Sequence, residues 1–212
     1  MSSHNLEYSQ NSATLTLAQV DSSKRTRVAV SMRSISTIGG QSRPVTSGFD
    51  KSVRIAISSA FGLGLSPVAP GTCGALLGVL IHLTLLRFGS SGIVVLLLFL
   101  SLAIVSVANW LLTPFAVHYW RDPDPQHFVL DEIAGYLVVA IICPFMTEWY
   151  TIAAGFLLFR CFDIIKLPPA RQIDRDWTGA AGILLDDIVS GVYAGGALWG
   201  LWILARAVGL HK

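Results

Sequence analysis

The acidic residues carry the first chemical signal. Beyond residue 51, every Asp and Glu lies between Asp122 and Asp187. Apart from Glu148 they fall in three groups: "DPDPQHFVLDE" (122–132), "FRCFDIIK" (159–166) and "DRDWTGAAGILLDD" (174–187). Within them, Asp131, Glu132, Asp163, Asp186 and Asp187 stand where apolar sequence meets a loop. Carboxylates gathered in one place repel, and without a partner some would take up protons rather than stay charged. A bound divalent cation removes the conflict, and an all-oxygen ligand set suits Mg²⁺, with Mn²⁺ as the alternative, rather than zinc. These five acids are therefore the expected metal ligands. Arg160 and Lys166 flank Asp163 at i−3 and i+3, one helical face if the helix continues. Cations beside a carboxylate-held metal fit phosphate recognition.

A second stretch, "FGLGLSPVAPGTCG" (Phe61–Gly74), has four glycines, two prolines and no charge. It leads into an apolar helix, so free amides and the Thr72 hydroxyl would face an anion at the helix N-terminus. It is neither a P-loop nor a dinucleotide fingerprint. Other polar residues have plainer readings. Asp122 and Asp124 read as a proline-rich turn, and Asp174 and Asp176 as loop residues, with a supporting role behind the metal ligands as the alternative. His82 lies in an apolar run and reads as packed against a neighbour. His118 and His127, near the second acidic group, are alternative proton shuttles. Cys73, Cys143 and Cys161 are odd in number, lack a Cys-x-x-Cys pair, and read as reduced packing residues.

The elements that must position these side chains are apolar helices. Of 212 residues, 53% are hydrophobic and 13% charged, about half the ~25% charge of an ordinary globular domain. "GIVVLLLFLSLAIVSVANWLL" (Gly92–Leu112) has no charge and is long enough to cross a ~30 Å hydrocarbon core. Ile188–Ala205 is a second span. Thr72–Leu86, Ile133–Thr147 and Trp149–Phe159 are shorter, the last two forming a tight hairpin around Glu148. The expected fold is an all-α, polytopic helical membrane protein with four to five membrane-embedded helices, some short or re-entrant. Gly74/Gly78, Gly191/Gly195 and Gly196/Gly200 have the Gly-x-x-x-Gly spacing that permits close helix packing. Trp110, Trp120 and Trp149 read as interface anchors near helix ends. Five crossings would put Lys51, Arg54, Arg121, Arg160, Lys166, Arg171 and Arg175 on one side, and only Arg87, Arg206 and Lys212 on the other. The positive-inside rule makes the first side, which also carries the acids, cytoplasmic. Each aspartate of the 186–187 pair would cost roughly 2.5–3.5 kcal/mol at a helix centre, so this pair needs a partner.

Residues 1–50 differ in kind. They are Ser-rich, carry Lys24, Arg25, Arg27, Arg33 and Arg43, and contain no long apolar run. They read as a disordered polar tail, with a targeting segment or an over-extended start (Met32 as the alternative first residue) as the other readings. Residues 51–212 form the membrane domain. The net charge of +2, without a basic patch interleaved with aromatics, argues against nucleic acid as a partner.

Four motifs in order, "GLGLSPVAPGTCG", "VLDEIAGY", "FRCFDIIKLPPARQIDR" and "GILLDDIVSGVYAG", resemble the phosphatidylglycerophosphatase A family over residues 55–205. The resemblance implies a membrane-embedded, Mg²⁺-dependent enzyme of glycerophospholipid biosynthesis. It would act on phosphatidylglycerophosphate, giving phosphatidylglycerol and inorganic phosphate, at the cytoplasmic face of a bacterial inner membrane. By this resemblance Asp131, Glu132, Asp163, Lys166, Asp186 and Asp187 match the polar signature positions, and Gly71 and Thr72 the first motif. Cys73, Leu167, Ala180 and Ala181 depart from the family pattern without removing a charged motif residue. The expected chemistry is metal-assisted phosphomonoester hydrolysis, with Lys166 and either Arg160 or Arg171 stabilising the transferring phosphoryl group. Two rival functions are weaker. A CDP-alcohol phosphotransferase requires Asp-Gly before Ala-Arg, where this chain has Lys166-Leu167 before Ala170-Arg171. A non-enzymatic cation carrier would place acids within the spans or on both faces.

Overall fold

A computed structural model describes residues 48–209; the reading of the polar tail falls outside them. Among the described residues the chain is all-α, with seven α-helices and no strand. In chain order these are α1 (Gly48–Ser58), α2 (Pro70–Leu85), α3 (Ser91–Trp120), α4 (Leu130–Ile142), α5 (Trp149–Ile165), α6 (Ala170–Asp176) and α7 (Ala180–Ala207). A 3₁₀ turn, Leu63–Leu65, lies between α1 and α2.

The short helix α4 is the centre. Almost every residue from Leu130 to Ala140 is buried, including Tyr136 and Leu137, and α2, α3, α5 and α7 all pack against it. A helix apolar on every side is stable only when it is enclosed in this way. Small residues let the enclosing helices approach. A Cβ on Gly74 would meet Val129 at 2.8 Å, and one on Gly78 would meet Tyr136 at 3.0 Å, so the 74/78 spacing seats α2 on α4. A Cβ on Gly191 would collide with the Gly135 carbonyl, and one on Gly135 would meet the Asp187 carbonyl at 2.8 Å and the Phe159 ring at 2.5 Å. Gly195 faces Ile142. The 191/195 spacing thus seats α7 on α4, whereas Gly196 and Gly200 touch nothing within 4 Å. His82 packs in the interior, its Nδ1 3.3 Å from the Tyr136 hydroxyl, and ties α2 to α4.

Several boundaries differ from the sequence-based ones. α3 runs eight residues past Leu112, through Pro114, because one missing N–H removes a single bond from a 30-residue helix. Trp110 therefore lies well inside α3, not near an end, while Trp120 and Trp149 do sit at helix termini. α7 begins at Ala180 rather than Ile188, which places Asp186 and Asp187 two turns inside the helix and not at a junction. α5 ends at Ile165, with Lys166 a left-handed cap (φ 47°), so Lys166 leaves the face that carries Arg160 and Asp163. The three cysteines are free, but Cys161 is exposed and so is no packing residue.

Two helices, α3 with 30 residues and α7 with 28, are long and apolar enough to cross a membrane. The 13 residues of α4 reach only about 20 Å, well short of a ~30 Å core. One outer face of α3 exposes Ile93, Leu96, Leu100, Ile104, Val107 and Leu111. An apolar face of that extent is what lipid contact requires.

Candidate active site

Each acidic group reaches the same cavity from a different element. The cavity, about 220 Å³, has walls from the α2 N-terminus (Ala69, Pro70, Gly71), the loop before α4 (Asp124, Pro125, Gln126 and Phe128) and the start of α4 (Asp131, Glu132). The end of α5 adds Arg160, Asp163 and Lys166, and α7 adds Ile183, Asp186 and Asp187. The close approach of α4 and α7 at Gly135 and Gly191 brings the first turn of α4 beside the second turn of α7.

There the carboxylates of Asp131, Glu132 and Asp187 converge, with one oxygen from each within 4.8 Å of the others. Asp131 Oδ1 and Glu132 Oε2 are buried and have no hydrogen-bond donor. Buried acceptors normally have partners. Three converging carboxylates, two of them with a buried oxygen that lacks a donor among the described residues, fit a hard divalent cation, which takes oxygen ligands alone. Of the five acids expected as ligands, the structure gathers these three.

The other two pair with cations, while Asp186 Oδ1 stays buried without a hydrogen-bond partner among the described residues. Asp163 Oδ2 forms an ion pair with Arg160 Nη1 at 2.5 Å. The approach is not aligned as a hydrogen bond, and Arg160 Nη1 and Nε remain buried without an acceptor. Asp186 Oδ2 accepts a hydrogen bond from Lys166 Nζ at 2.7 Å, and Asp174 Oδ1 accepts another from the same ammonium at 2.6 Å. Burial works against the Lys166 charge. The hydrogen bonds and negative charges of Asp174 and Asp186 outweigh it and hold the pKa above the ordinary lysine value. The left-handed cap makes this possible, since it aims Lys166 across to α6 and α7.

Two participants were not among the expected site residues. Asp124, read as a turn residue, lines the cavity. Loss of water around its carboxyl raises its pKa above the ordinary carboxylate range, with Lys166 opposing the shift. Its carboxyl has no hydrogen-bond partner among the described residues. The signal available was its membership of the 122–132 group. Asp174, read as a loop residue, holds Lys166, and no sequence pattern links positions 166 and 174 to 186. Gly71 lines the cavity because a Cβ there would collide with Glu132 Oε1 and lie 3.1 Å from Arg160 Nη2. Thr72 and Arg171 do not line it: Thr72 is half-buried in the first turn of α2, and Arg171 is exposed on α6. His118 faces a separate groove beside Arg121. His127 Nδ1 lies 2.9 Å from the Gly64 carbonyl, outside the acid cluster.

This cavity therefore offers acceptor oxygens for a cation and guanidinium donors for an anion within one small volume, below the ~300–1,000 Å³ of sites that enclose whole drug-sized ligands. It suits a phosphate group presented from outside. Comparison with known proteins agrees. A family model described as phosphatidylglycerophosphatase A matches residues 56–202. A protein of Bacteroides thetaiotaomicron named as a candidate phosphatidylinositol-3-phosphatase is 35% identical over 149 residues, covering 66% of this chain and 87% of that protein. The phosphatidylglycerophosphatase A of Escherichia coli is 34% identical over 144 residues, covering 68% and 80%. That of Haemophilus influenzae is 33% identical over 141 residues, covering 65% and 82%. No solved structure matches.

Proposed function

The chain belongs to the phosphatidylglycerophosphatase A family, and from that premise we propose that it hydrolyses the terminal phosphomonoester of phosphatidylglycerophosphate at the acid-lined cavity. The products are phosphatidylglycerol and inorganic phosphate. The observation that carries the reading is the presence, in one cavity, of buried carboxylate oxygens without a hydrogen-bond donor and a buried guanidinium whose Nε lacks an acceptor, among the described residues.

Asp131, Glu132 and Asp187 would hold a divalent cation, and Mg²⁺ suits the all-oxygen set, with Mn²⁺ as the alternative. Such an ion supplies Lewis-acid polarisation of the phosphoryl oxygens and screens their charge. Arg160 donates to the phosphate, and its guanidinium, with Nε free of any acceptor among the described residues, gives a charge-assisted grip on the developing negative charge. Asp163 holds Arg160 in that pose. Lys166 is committed to Asp174 and Asp186, so its role is to fix α5, α6 and α7 around the cavity and to add positive potential. Asp124, whose carboxyl lines the cavity without a hydrogen-bond partner among the described residues, is the proton acceptor for attacking water. The described groups then divide as cation holders, anion binders and a proton acceptor.

Membrane placement follows from lengths. The residues from Ile188 to Ala207 cover about 30 Å, the thickness of a hydrocarbon core. With Ala207 at one edge, Asp186 and Asp187 sit at the other, at the depth of lipid headgroups. The excess of Lys and Arg on that side makes it cytoplasmic by the positive-inside rule, and the catalytic domain is the segment from residue 51 onward.

The test is phosphate release by the purified full chain in lipid–detergent micelles, with Mg²⁺ and with chelator. Parallel arms use phosphatidylglycerophosphate and phosphatidylinositol 3-phosphate. Faster, chelator-sensitive release from phosphatidylglycerophosphate is expected. Preference for the inositol lipid would move the substrate assignment, and release insensitive to chelator would remove the metal from the proposal.

A further inference from the structure

The segment between α1 and α2 carries large apolar side chains that the fold does not enclose. Phe61 is 85% exposed and Val68 75%, and Leu63 and Leu65 are also exposed. On α1, Val53 and Ile57 are exposed as well. The segment is nonetheless anchored from behind. Val129 N donates to the Ser58 carbonyl at 3.2 Å, and the Gly64 carbonyl lies 2.9 Å from His127 Nδ1. A Cβ on Gly64 would meet the His127 carbonyl at 2.5 Å, so the loop backbone lies flat against the segment that leads into Asp131. Three consecutive residues with positive φ, Ala60, Phe61 and Gly62, turn the chain and leave the Phe61 ring outward. A bulky residue is rarely held in that region.

Location supplies the partner. The residues that follow, Ala69 to Gly71, line the cavity. α1 rests on the end of α3, with Lys51 Nζ 4.8 Å above the Tyr119 ring and Arg54 5.6 Å from the Phe115 ring. The apolar segment thus follows a helix that rests on the end of one long enough to span a bilayer, and basic and aromatic residues stand where those two helices meet. That combination is the pattern of a segment lying in a lipid interface rich in anionic headgroups.

Resting on the lipid-phosphatase reading, we propose that residues 61–68 form a finger that inserts into the bilayer leaflet beside the cavity. Phe61, Leu63, Leu65 and Val68 sit among the upper acyl segments, and Lys51 and Arg54 lie at the level of the lipid phosphates. The finger fixes the height of the cavity mouth against the leaflet, so that a diacyl lipid delivers its terminal phosphate by lateral movement without leaving the membrane.

The experiment places an NBD fluorophore at Phe61→Cys in the full chain, reconstituted in phosphatidylcholine–phosphatidylglycerol vesicles. Unsubstituted chain treated alike subtracts labelling of the native cysteines. Blue-shifted emission, quenched by lipids brominated near the top of the acyl chain, is expected; water-like emission without quenching overturns the proposal. A second measurement uses the pair Phe61→Ser with Val68→Ser. For phosphatidylglycerophosphate in vesicles, KM as a surface concentration should rise about tenfold with kcat unchanged, since lost apolar insertion weakens interfacial binding. Turnover of a water-soluble short-chain analogue should stay the same. Equal losses on both substrates would mean that the loop only supports the cavity wall, against the proposal. Fluorophore depth needs no turnover, so an unsubstituted chain that hydrolyses neither substrate would reject the phosphatase reading while the quenching result still decides the finger.

Discussion

Consecutive side chains on an α-helix diverge by about 100°, and at Asp186 and Asp187 that angle turns the two carboxyls toward different neighbours. Asp187 faces Asp131 and Glu132 across the α4–α7 contact, and Asp186 faces Lys166. Asp187→Asn should therefore weaken metal binding and lower turnover about 100-fold or more, a common loss when a site's charged group is removed, with partial rescue at raised Mg²⁺. Asp186→Asn should cost less and show no rescue, because metal affinity is not its defect. Phosphate release measured against metal concentration for both variants separates them, and matching rescue curves would contradict the division. Lys166 is argued differently. Lys166→Met leaves the buried Asp186 carboxylate without its counter-ion, a loss of roughly 1–3 kcal/mol for an abandoned buried partner, less what solvent at the Asp174 side recovers. Thermal unfolding in detergent should show that loss, and Asp174→Asn, which leaves the Asp186 contact in place, should show a smaller one.

At the level of elements, the site depends on how closely α4 and α7 approach. Gly135 and Gly191 remove the side chains that would hold these helices apart, and the glycines at 196 and 200, with the same spacing, meet nothing. Gly191→Ala should destabilise by about 1–3 kcal/mol through overpacking and reduce activity beyond that, since the acids of α4 and α7 separate together. Gly196→Ala should leave both stability and activity near those of the unsubstituted chain. Gly71→Ala is a different test. The added methyl would meet the flexible end of Glu132 rather than backbone, so the melting temperature should hardly move, while activity falls about tenfold or more as the carboxylate is displaced. A large loss of stability in Gly71→Ala would show the glycine to be a packing residue alone. Spacing made these glycines visible as candidates. Which pairs were used could not be read from it, because a Gly-x-x-x-Gly pattern does not name the helix that will face it.

For the whole molecule, the acids should lie on the cytoplasmic side of the membrane and the start of α3 on the other. A cysteine introduced at Gln126 should react with an impermeant reagent only from inside, and one at Ser90 only from outside. Reaction of both from the same side would overturn the crossing arrangement. The polar tail is proposed to be dispensable for chemistry. Deletion of residues 2–46, which retains α1, should keep specific activity within a few-fold, and complete loss in a chain that still inserts would make the tail part of the catalytic unit.

Much of this protein follows from composition and order alone. Apolar stretches in lipid must satisfy their own backbone hydrogen bonds, so long uncharged runs imply helices whatever their neighbours do. Acids retained in so apolar a chain require a partner, which marks Asp131, Glu132, Asp163, Asp186 and Asp187 before any contact is known. The division of labour among them had a different origin. Lys166 reaches Asp174 and Asp186 because α5 stops at Ile165 in a left-handed cap, and Asp124 joins the cavity because the segment after it is pinned to Gly64. Asp187 meets the α4 acids because two glycines let backbones touch. Such pairings depend on where helices end and how near they approach, quantities set by packing of the whole chain, so only the tertiary structure could decide them.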